Sequence, residues 1–470
     1  MDERARSSRV QYLDVVRVLS MLAVVLLHVI AGTLRSRYGS SQWHFSNALT
    51  SLATASVPLF FMLSGALLLS SPRTASVGYA LKHRVPRVLV PFLIWSLLAI
   101  AYYLIVSWRL GGSPDWTAAI DKLKQMPARP TAIHLWFMYA LIPLYILSPF
   151  IKKLVDGLDR SLVIYLLSLW LFFSAVLPTV ALFLPESFSS IVTLDRRYDL
   201  SIMAGYAGYF VAGYYLARLE RPVSKAWLGV VVLVDVVCIA IGTWWKTAAV
   251  GEYREVFKSY SGVFVVVLSC ALFLLLKELL RERRLGRAAA ATVGFLAPLA
   301  FGVYLVHNLL VDLLSRLLPW WPAPSVQIVV VSCIAVTAAS IVFVYVVSRI
   351  KPLCYLLTGQ VYRPWFRSKR ASEREQEVEA PAAEATRPVE KAATAPDQAA
   401  TAPAQVTAAT PANPEPHRAS PTVDGAGQHD MTSTDEILLP KVWKPEPTAV
   451  KPPQTPDDTA ERPGRKRREN

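Results

Sequence analysis

Cysteine and charged residues are both scarce in this 470-residue chain. Its four cysteines, Cys238, Cys270, Cys333 and Cys354, lie within or beside apolar stretches and show no paired spacing. Neither a disulfide framework nor a zinc site is therefore indicated. Charged residues make up 18% of the chain, and the net charge of +15 fits membrane topology and anionic lipid headgroups better than nucleic acid.

What the chain has instead is a series of long apolar runs, with hydrophobic residues making up 53% of the total. These runs repeatedly reach the length of about 20 residues that an α-helix needs to cross a bilayer. Inside lipid every backbone polar group must be satisfied within the segment, so helices are expected. We therefore predict an all-α, polytopic integral membrane protein with about ten transmembrane helices, at 13–33, 46–70, 88–108, 133–151, 162–184, 200–217, 227–245, 260–277, 291–315 and 325–348.

Composition also divides the chain. We predict a cytoplasmic amino-terminal segment at 1–12, a transmembrane domain at 13–350 and a basic juxtamembrane segment at 351–370. From residue 371 the sequence is rich in Ala, Pro, Thr, Glu and Gln and loses its apolar periodicity, which predicts a disordered tail over 371–470. Lysine and arginine favour alternate loops, and the positive-inside rule then predicts that both termini are cytoplasmic.

Ionisable side chains within apolar helices are costly, and each is a candidate for function. Arg17 and His28 in the first helix have ten residues between them, which places them on nearly the same face, roughly 16 Å apart along the axis. An imidazole titrates near neutral pH and is a natural general base for a hydroxyl nucleophile. The alternative is structural: Arg17 anchors the helix at the headgroups and His28 makes a packing hydrogen bond.

A second candidate is the basic entry to the third helix, where Arg84 and Arg87 are three residues apart beside Lys82 and His83. Two guanidinium groups on one side of a helix would suit the phosphates of a cosubstrate. The positive-inside rule alone also explains such a cluster, and for this segment in isolation it is the better explanation.

A third candidate lies late in the chain, where Tyr304, His307 and Asn308 fall in the middle of an apolar helix. Polar groups between membrane helices commonly stabilise packing, so a structural role is at least as well supported as a catalytic one.

Taken in order, the motifs resemble the membrane-bound acyltransferase-3 family. The resemblance rests on Arg17 and His28 with ten residues between them, "SVPLFFMLSGALLL" in the second helix, Arg84 and Arg87 followed by Pro91, "HLWFMYALIPLYILSPF" in the fourth helix, and "FGVYLVH" late in the chain. It covers about residues 10 to 350.

The resemblance implies an enzyme that moves an acyl group, usually acetyl, from cytoplasmic acyl-CoA to a hydroxyl of a cell-surface or exported glycan. Acyl-CoA would be a cosubstrate, with no permanently bound cofactor, and surface-polysaccharide assembly proteins would be candidate partners. It also implies a multi-pass protein of the bacterial cytoplasmic (inner) membrane.

The resemblance also implies roles for individual residues. The family's first-helix histidine is held to be catalytic and corresponds to His28, while its basic residue corresponds to Arg17 and its arginine pair to Arg84 and Arg87, which would engage the donor. "FFMLSG" would be a structural or site-lining element. The site-lining candidates are Asp14, Ser64, Tyr304 and His307, and no residue is assigned to a metal.

The predicted outer loops contain groups that could contact an acceptor, although an aromatic belt at the membrane interface explains them better. They are His44, Trp116, His134, Asp195, Arg196 and Arg197. Two other functions stay open: a transporter or flippase without acyl chemistry, and a membrane sensor whose long tail is its output. Activity that depends on His28 would separate an enzyme from a sensor.

Overall fold

The regular elements of the chain are helices. The computed structural model describes residues 3–184, 201–281, 285–318 and 325–360, and it contains no strand within them, which confirms the all-α prediction. The main helices are α1 (Glu3–Ser36), α2 (Ser41–Ala53), α3 (Ser56–Leu68), α4 (Val85–Gly111), α5 (Trp116–Gln125), α6 (Trp136–Gly157), α7 (Arg160–Leu171), α8 (Ser201–Arg218), α9 (Lys225–Val250), α10 (Val263–Leu279), α11 (Arg287–Leu317), α12 (Val326–Val347) and α13 (Lys351–Thr358).

Nine segments of the described chain are long and apolar enough to cross a membrane. They coincide with nine of the ten predicted helices. The tenth, predicted at 200–217, is helical as α8 but is not among those nine segments. The polytopic prediction is therefore confirmed, whereas the predicted tail at 371–470 lies outside the described residues.

The second predicted helix, 46–70, is divided into α2 and α3. The interruption falls at Thr54 and Ala55, and Pro58 follows in the first turn of α3. A proline lacks the backbone N–H that a helix interior requires, but the first turn of a helix does not need that donor. Starting a new helix just before Pro58 therefore leaves no hydrogen bond unmade.

Helix α1 lies at the centre of the bundle and contacts α2, α3, α10, α11 and α12. Its side chains Val16, Val25 and Ile30 are at most 1% exposed. The peripheral helix α9, by contrast, exposes large apolar side chains such as Leu233 and Ile241. An exposed apolar surface of this kind suits contact with lipid chains, because water would disfavour it.

Helices α3 and α8 approach each other unusually closely through two glycines, a contact that we call the glycine seam. A Cβ atom added to Gly65 would lie 1.7 Å from the carbonyl oxygen of Phe210, and one added to Gly213 would lie 2.1 Å from that of Met62. Small residues let helix backbones pack at short distance in a membrane. This explains the glycine of the "FFMLSG" motif as a structural requirement.

Helices α4 and α11 lie side by side in the same direction, which defines two ends of the bundle. At one end, which we call the Arg84 end, α13 packs on the start of α4, where the Trp95 indole N–H donates to the carbonyl oxygen of Leu357 at 2.9 Å. At the other, the Asp312 end, the Tyr102 hydroxyl of α4 donates to the Asp312 carboxylate of α11 at 2.6 Å.

Candidate functional site

Three histidines from distant parts of the sequence meet inside the bundle, and we call them the histidine cluster. His28 lies in α1, His134 in the short turn before α6, and His307 in α11. The ring centroid of His28 is 4.9 Å from that of His307 and 6.4 Å from that of His134. The His134 and His307 centroids are 5.3 Å apart.

His134 is buried, and its hydrogen bonding determines which ring nitrogen carries the proton. Its Nε2 is 3.1 Å from the carbonyl oxygen of Leu305. A carbonyl oxygen can only accept a hydrogen bond, so Nε2 is the N–H donor. Nδ1 makes no hydrogen bond within the described part of the chain. In the neutral imidazole it therefore keeps an unused lone pair.

His307 shows the same arrangement with the two nitrogens exchanged. The side chain is fully buried, and its Nδ1 donates to the carbonyl oxygen of Tyr304 at 2.7 Å. Its Nε2 is buried without a hydrogen-bond partner among the described residues. Buried polar atoms in folded proteins are nearly always paired, so two unpaired imidazole nitrogens in one cluster need an explanation.

Tyr304 fixes the position of His134. Its hydroxyl donates to the His134 carbonyl oxygen at 2.5 Å, and its ring is 5.9 Å from the imidazole of His134. His28 itself is half-buried, and its ring lies against the imidazoles of both other histidines. The structure therefore places three predicted residues, His28, Tyr304 and His307, at one site.

The structure adds His134 to this site, although the sequence suggested only an outer loop or belt position for it. The available signal was its place in "HLWFMY", immediately before a long apolar helix, within a motif that already carried the family resemblance. Spacing alone could not reveal the contact, because the hydrogen bond to Leu305 spans 171 residues.

A second group of polar residues lies toward the Arg84 end. Arg17 forms an ion pair with Asp14 at 3.1 Å, one helical turn away. The Tyr145 hydroxyl on α6 interacts with the Ser64 hydroxyl and lies within electrostatic range of both Arg17 and Arg84. Three predicted residues, Arg17, Ser64 and Arg84, thereby lie around Tyr145, and a fourth, Asp14, pairs with Arg17. We call these residues the basic cluster.

The two arginines at the start of α4 differ in their surroundings. Arg84 is half-buried at the end of a short π-helix, Ala80–Arg84, with its guanidinium carbon 5.5 Å from the centroid of the Tyr79 ring. Its Nε is buried and makes no hydrogen bond in the described chain. Arg87 is exposed, and the structure does not place it in the basic cluster.

The remaining predicted residues do not join the site. His44 and Trp116 are exposed, and the Trp116 side chain is 62% exposed. Asp195, Arg196 and Arg197 lie outside the described residues. Across the described ranges, no three His, Cys, Asp or Glu side chains are arranged to hold a metal ion, the histidine cluster included.

The two groups stand on one stripe of α1. Eleven helical positions from Arg17 to His28 correspond to a rise of roughly 16 Å. A long ligand with an anionic head could therefore occupy the basic cluster while its other end lies beside a general base. Such an arrangement suits group transfer from a phosphorylated carrier.

Comparison with known proteins identifies the family. No curated protein and no solved structure matches the chain. A family model described as an acyltransferase domain, that of acyltransferase-3, matches residues 10–345, well over half of the 470 residues. That match includes every residue of the histidine cluster and of the basic cluster. The chain therefore belongs to the acyltransferase-3 family and is a membrane acyltransferase.

Proposed function

We propose that this protein transfers an acyl group, most simply acetyl, from acyl-CoA to a hydroxyl of a cell-surface or exported glycan, with His28 as the general base. The observation that carries the proposal is the histidine cluster, in which the His28 ring lies against two buried imidazoles, each with one nitrogen that bonds to none of the described residues. A purely structural histidine pocket would be expected to pair those nitrogens.

The basic cluster is the proposed donor site. The half-buried guanidinium groups of Arg17 and Arg84 can bind the phosphates of acyl-CoA, because a planar fork of N–H donors matches phosphate oxygens. Arg84 also has a buried Nε that lacks a partner among the described residues. Arg87 would contribute from the exposed edge of the site. The thioester would then extend along α1 toward His28.

The chemistry requires one base and one activated donor. The acceptor hydroxyl loses its proton to His28 as its oxygen forms a bond to the thioester carbon. The carbon–sulfur bond then breaks, and the proton passes from His28 to the departing CoA thiolate. The products are an ester and free CoA, so atoms and charges balance without a further reactant.

His134 and His307 are positioning residues in this scheme. The lone pair on His134 Nδ1 or on His307 Nε2 can accept the N–H of His28. That hydrogen bond would hold His28 in the tautomer whose other nitrogen is free to act as the base, because the partner of one ring nitrogen sets the state of the other. Their own N–H groups are already held by backbone carbonyls.

Orientation in the membrane follows from the location of the donor. Acyl-CoA is cytoplasmic, so the Arg84 end would face the cytoplasm and the Asp312 end the outside. The excess of lysine and arginine in the loops at that end agrees with the positive-inside rule. Both termini would then be cytoplasmic, in a bacterial inner membrane, where surface-polysaccharide assembly proteins could supply the acceptor.

The direct test is turnover of radiolabelled acetyl-CoA by purified protein in detergent. We expect wild-type protein to release CoA, and His28→Ala to lower the rate by about 10²–10⁴-fold, the usual contribution of a general base. His44→Ala is the matched control, since His44 is exposed, and it should retain wild-type turnover.

Two results would contradict the proposal. If wild-type protein neither binds nor consumes acetyl-CoA or a longer acyl-CoA, the donor assignment is wrong. If His28→Ala turns over normally while remaining monodisperse on gel filtration, the donor assignment survives and the base lies elsewhere.

A further inference from the structure

A cavity of about 220 Å³ lies at the Asp312 end, on the side of the histidine cluster away from the basic cluster. Helices α4, α5 and α11 and the segment before α6 form its walls. The residues that line it include Tyr102, Tyr103, Thr131, His134, Asn308 and Asp312. The mechanism above uses only His134 among them.

The rim of the cavity is held in place by polar contacts. Asp312 accepts hydrogen bonds from the Tyr102 hydroxyl at 2.6 Å and from Arg316 Nε at 2.8 Å. On the opposite side, the Tyr103 hydroxyl donates to Asp115, the residue that caps α5, at 3.0 Å. A site whose side chains are already ordered loses little conformational entropy when a ligand binds.

Deeper inside, two buried polar groups make no hydrogen bond with the part of the chain that the structure describes. The Thr131 hydroxyl and Nδ1 of His134 are buried without a hydrogen bond in the described chain, and His134 is only 4% exposed. The half-buried Asn308 amide also lines the cavity. Ligand pockets typically combine aromatic walls with a few such polar groups, which fix the orientation of the ligand.

We propose that this cavity is the acceptor subsite and that it holds one glycosyl ring of the substrate. This inference rests on the proposed function. The volume is below the roughly 300–1,000 Å³ of pockets that enclose whole drug-sized ligands, which fits a single ring with the remainder of the glycan outside. Donor and acceptor groups on Thr131, Asn308 and His134 suit the several hydroxyls of a sugar.

His134 connects this subsite to the catalytic base. It lines the cavity, and its ring centroid is 6.4 Å from that of His28. A sugar hydroxyl bound at His134 would therefore lie close to the His28 ring. The acceptor would enter from the end opposite to acyl-CoA, so the acyl group crosses the bundle at the histidine cluster.

The test separates acceptor binding from donor chemistry. Purified full-length protein is given radiolabelled acetyl-CoA with methyl glycosides of the common hexoses, deoxyhexoses and N-acetylhexosamines, and with glycerol as a non-sugar alcohol. We expect transfer to at least one glycoside. Asn308→Leu and Thr131→Val should raise its apparent KM by about tenfold, since each removes a polar contact. The KM for acetyl-CoA should be unchanged, because neither residue lies in the basic cluster, and both variants should stay monodisperse on gel filtration.

Ser315→Ala is the matched control. Ser315 is half-buried on the same helix and bonds to the Asp312 carbonyl oxygen, but it does not line the cavity. Its acceptor KM should be unchanged. Monodisperse elution of the Asn308 and Thr131 variants shows that they are folded, so a raised acceptor KM then reports on the subsite.

Equilibrium binding of the same glycosides, measured by saturation-transfer NMR, gives a readout that needs no turnover. Glycoside binding that Asn308→Leu abolishes supports the subsite even if acetyl-CoA is not the donor. If wild-type protein transfers acetyl to a glycoside and the Asn308 and Thr131 variants do so with the same acceptor KM, the subsite is wrong while the acyltransfer proposal stands. Transfer to glycerol alone, or no glycoside binding or transfer, would overturn the assignment to a sugar.

Discussion

The glycine seam and the histidine cluster are both buried helix contacts, yet they are built on opposite principles. In the seam, Gly65 and Gly213 bring two backbones so close that even a methyl group has no room. In the cluster, by contrast, three bulky polar rings fill the space, and two buried nitrogens lack partners in the described structure.

This contrast separates structure from chemistry within one bundle. A seam of small residues gains dispersion energy from close packing and contains no group that needs a partner. A cluster with unpaired buried nitrogens costs free energy in folding and is retained where a ligand or a proton can use those atoms. Changes in the seam should therefore abolish folding, whereas changes in the cluster should lower the activity of folded protein.

The largest effect should come from filling the seam. In Gly213→Leu the new side chain must displace the backbone at Met62, because even a Cβ would lie 2.4 Å from its Cα. The cost should reach or exceed the upper end of the roughly 1–3 kcal/mol typical of overpacking. We expect loss of monodisperse protein on gel filtration in detergent.

Gly229→Leu provides the control, because an added Cβ at Gly229 meets nothing within 4 Å. This variant should elute like wild type. If Gly213→Leu also elutes normally and remains active, the seam is not a structural requirement, and the contrast with the histidine cluster fails.

A smaller effect, on activity alone, should follow from His307→Asn. The asparagine Nδ2 can keep the hydrogen bond to the Tyr304 carbonyl, whereas the unpaired nitrogen corresponding to Nε2 is removed. We expect kcat to fall by about tenfold or more, short of the roughly 10²–10⁴-fold loss expected for a base, while the KM for acetyl-CoA is unchanged. Steady-state kinetics measure kcat and KM, and a melting curve measures the stability of the variant. A fall in the melting temperature with normal kcat would make His307 a packing residue.

A binding effect of similar or smaller size should follow from Arg84→Gln. Loss of a guanidinium from the basic cluster should raise the KM for acetyl-CoA by about tenfold, with kcat less affected. Arg87→Gln should have a weaker effect, because Arg87 is exposed and its interactions are screened by solvent. Arg109→Gln, an exposed arginine at the far end of α4, should match wild type. If all three variants have the same KM for acetyl-CoA, the basic cluster is not the donor site.

The smallest effect should come from deleting residues 371–470, a segment that belongs to neither region. The family match ends at residue 345, so the catalytic module precedes the tail. We expect kcat/KM for acetyl-CoA within about twofold of wild type. A large loss in the deletion variant, with normal turnover in full-length His28→Ala, would instead favour a sensor that signals through its tail.

Much of the fold was predictable because a membrane helix can be recognised from the apolar residues of its own segment. Apolar runs of sufficient length located nine segments that could cross a membrane, and α8 formed where the tenth was expected. The division between α2 and α3 was missed, because the predicted span 46–70 contains no charged residue and only Pro58 marks the break. Orientation in the membrane stays a prediction from loop charge.

The site was only partly predictable. The helical period places Arg17 and His28 on one stripe of α1, because α1 runs as one helix through both residues. The same reasoning grouped Arg84 with Arg87, whereas the structure brings only Arg84 to Tyr145 and leaves Arg87 exposed. Three α-helical positions leave an angle of about 60° between Arg84 and Arg87, enough for only one of them to face the bundle.

By itself, the sequence determined that this is an all-α membrane protein, which residues are costly to bury, and which family it belongs to. These properties depend on the hydrophobicity of short windows and on motif order. Only the tertiary structure decided that His134 joins His28 and His307, that Ser64 meets Tyr145, and that a cavity reaches His134 from the Asp312 end. These contacts join residues up to about 280 positions apart, and no local period encodes which helices become neighbours.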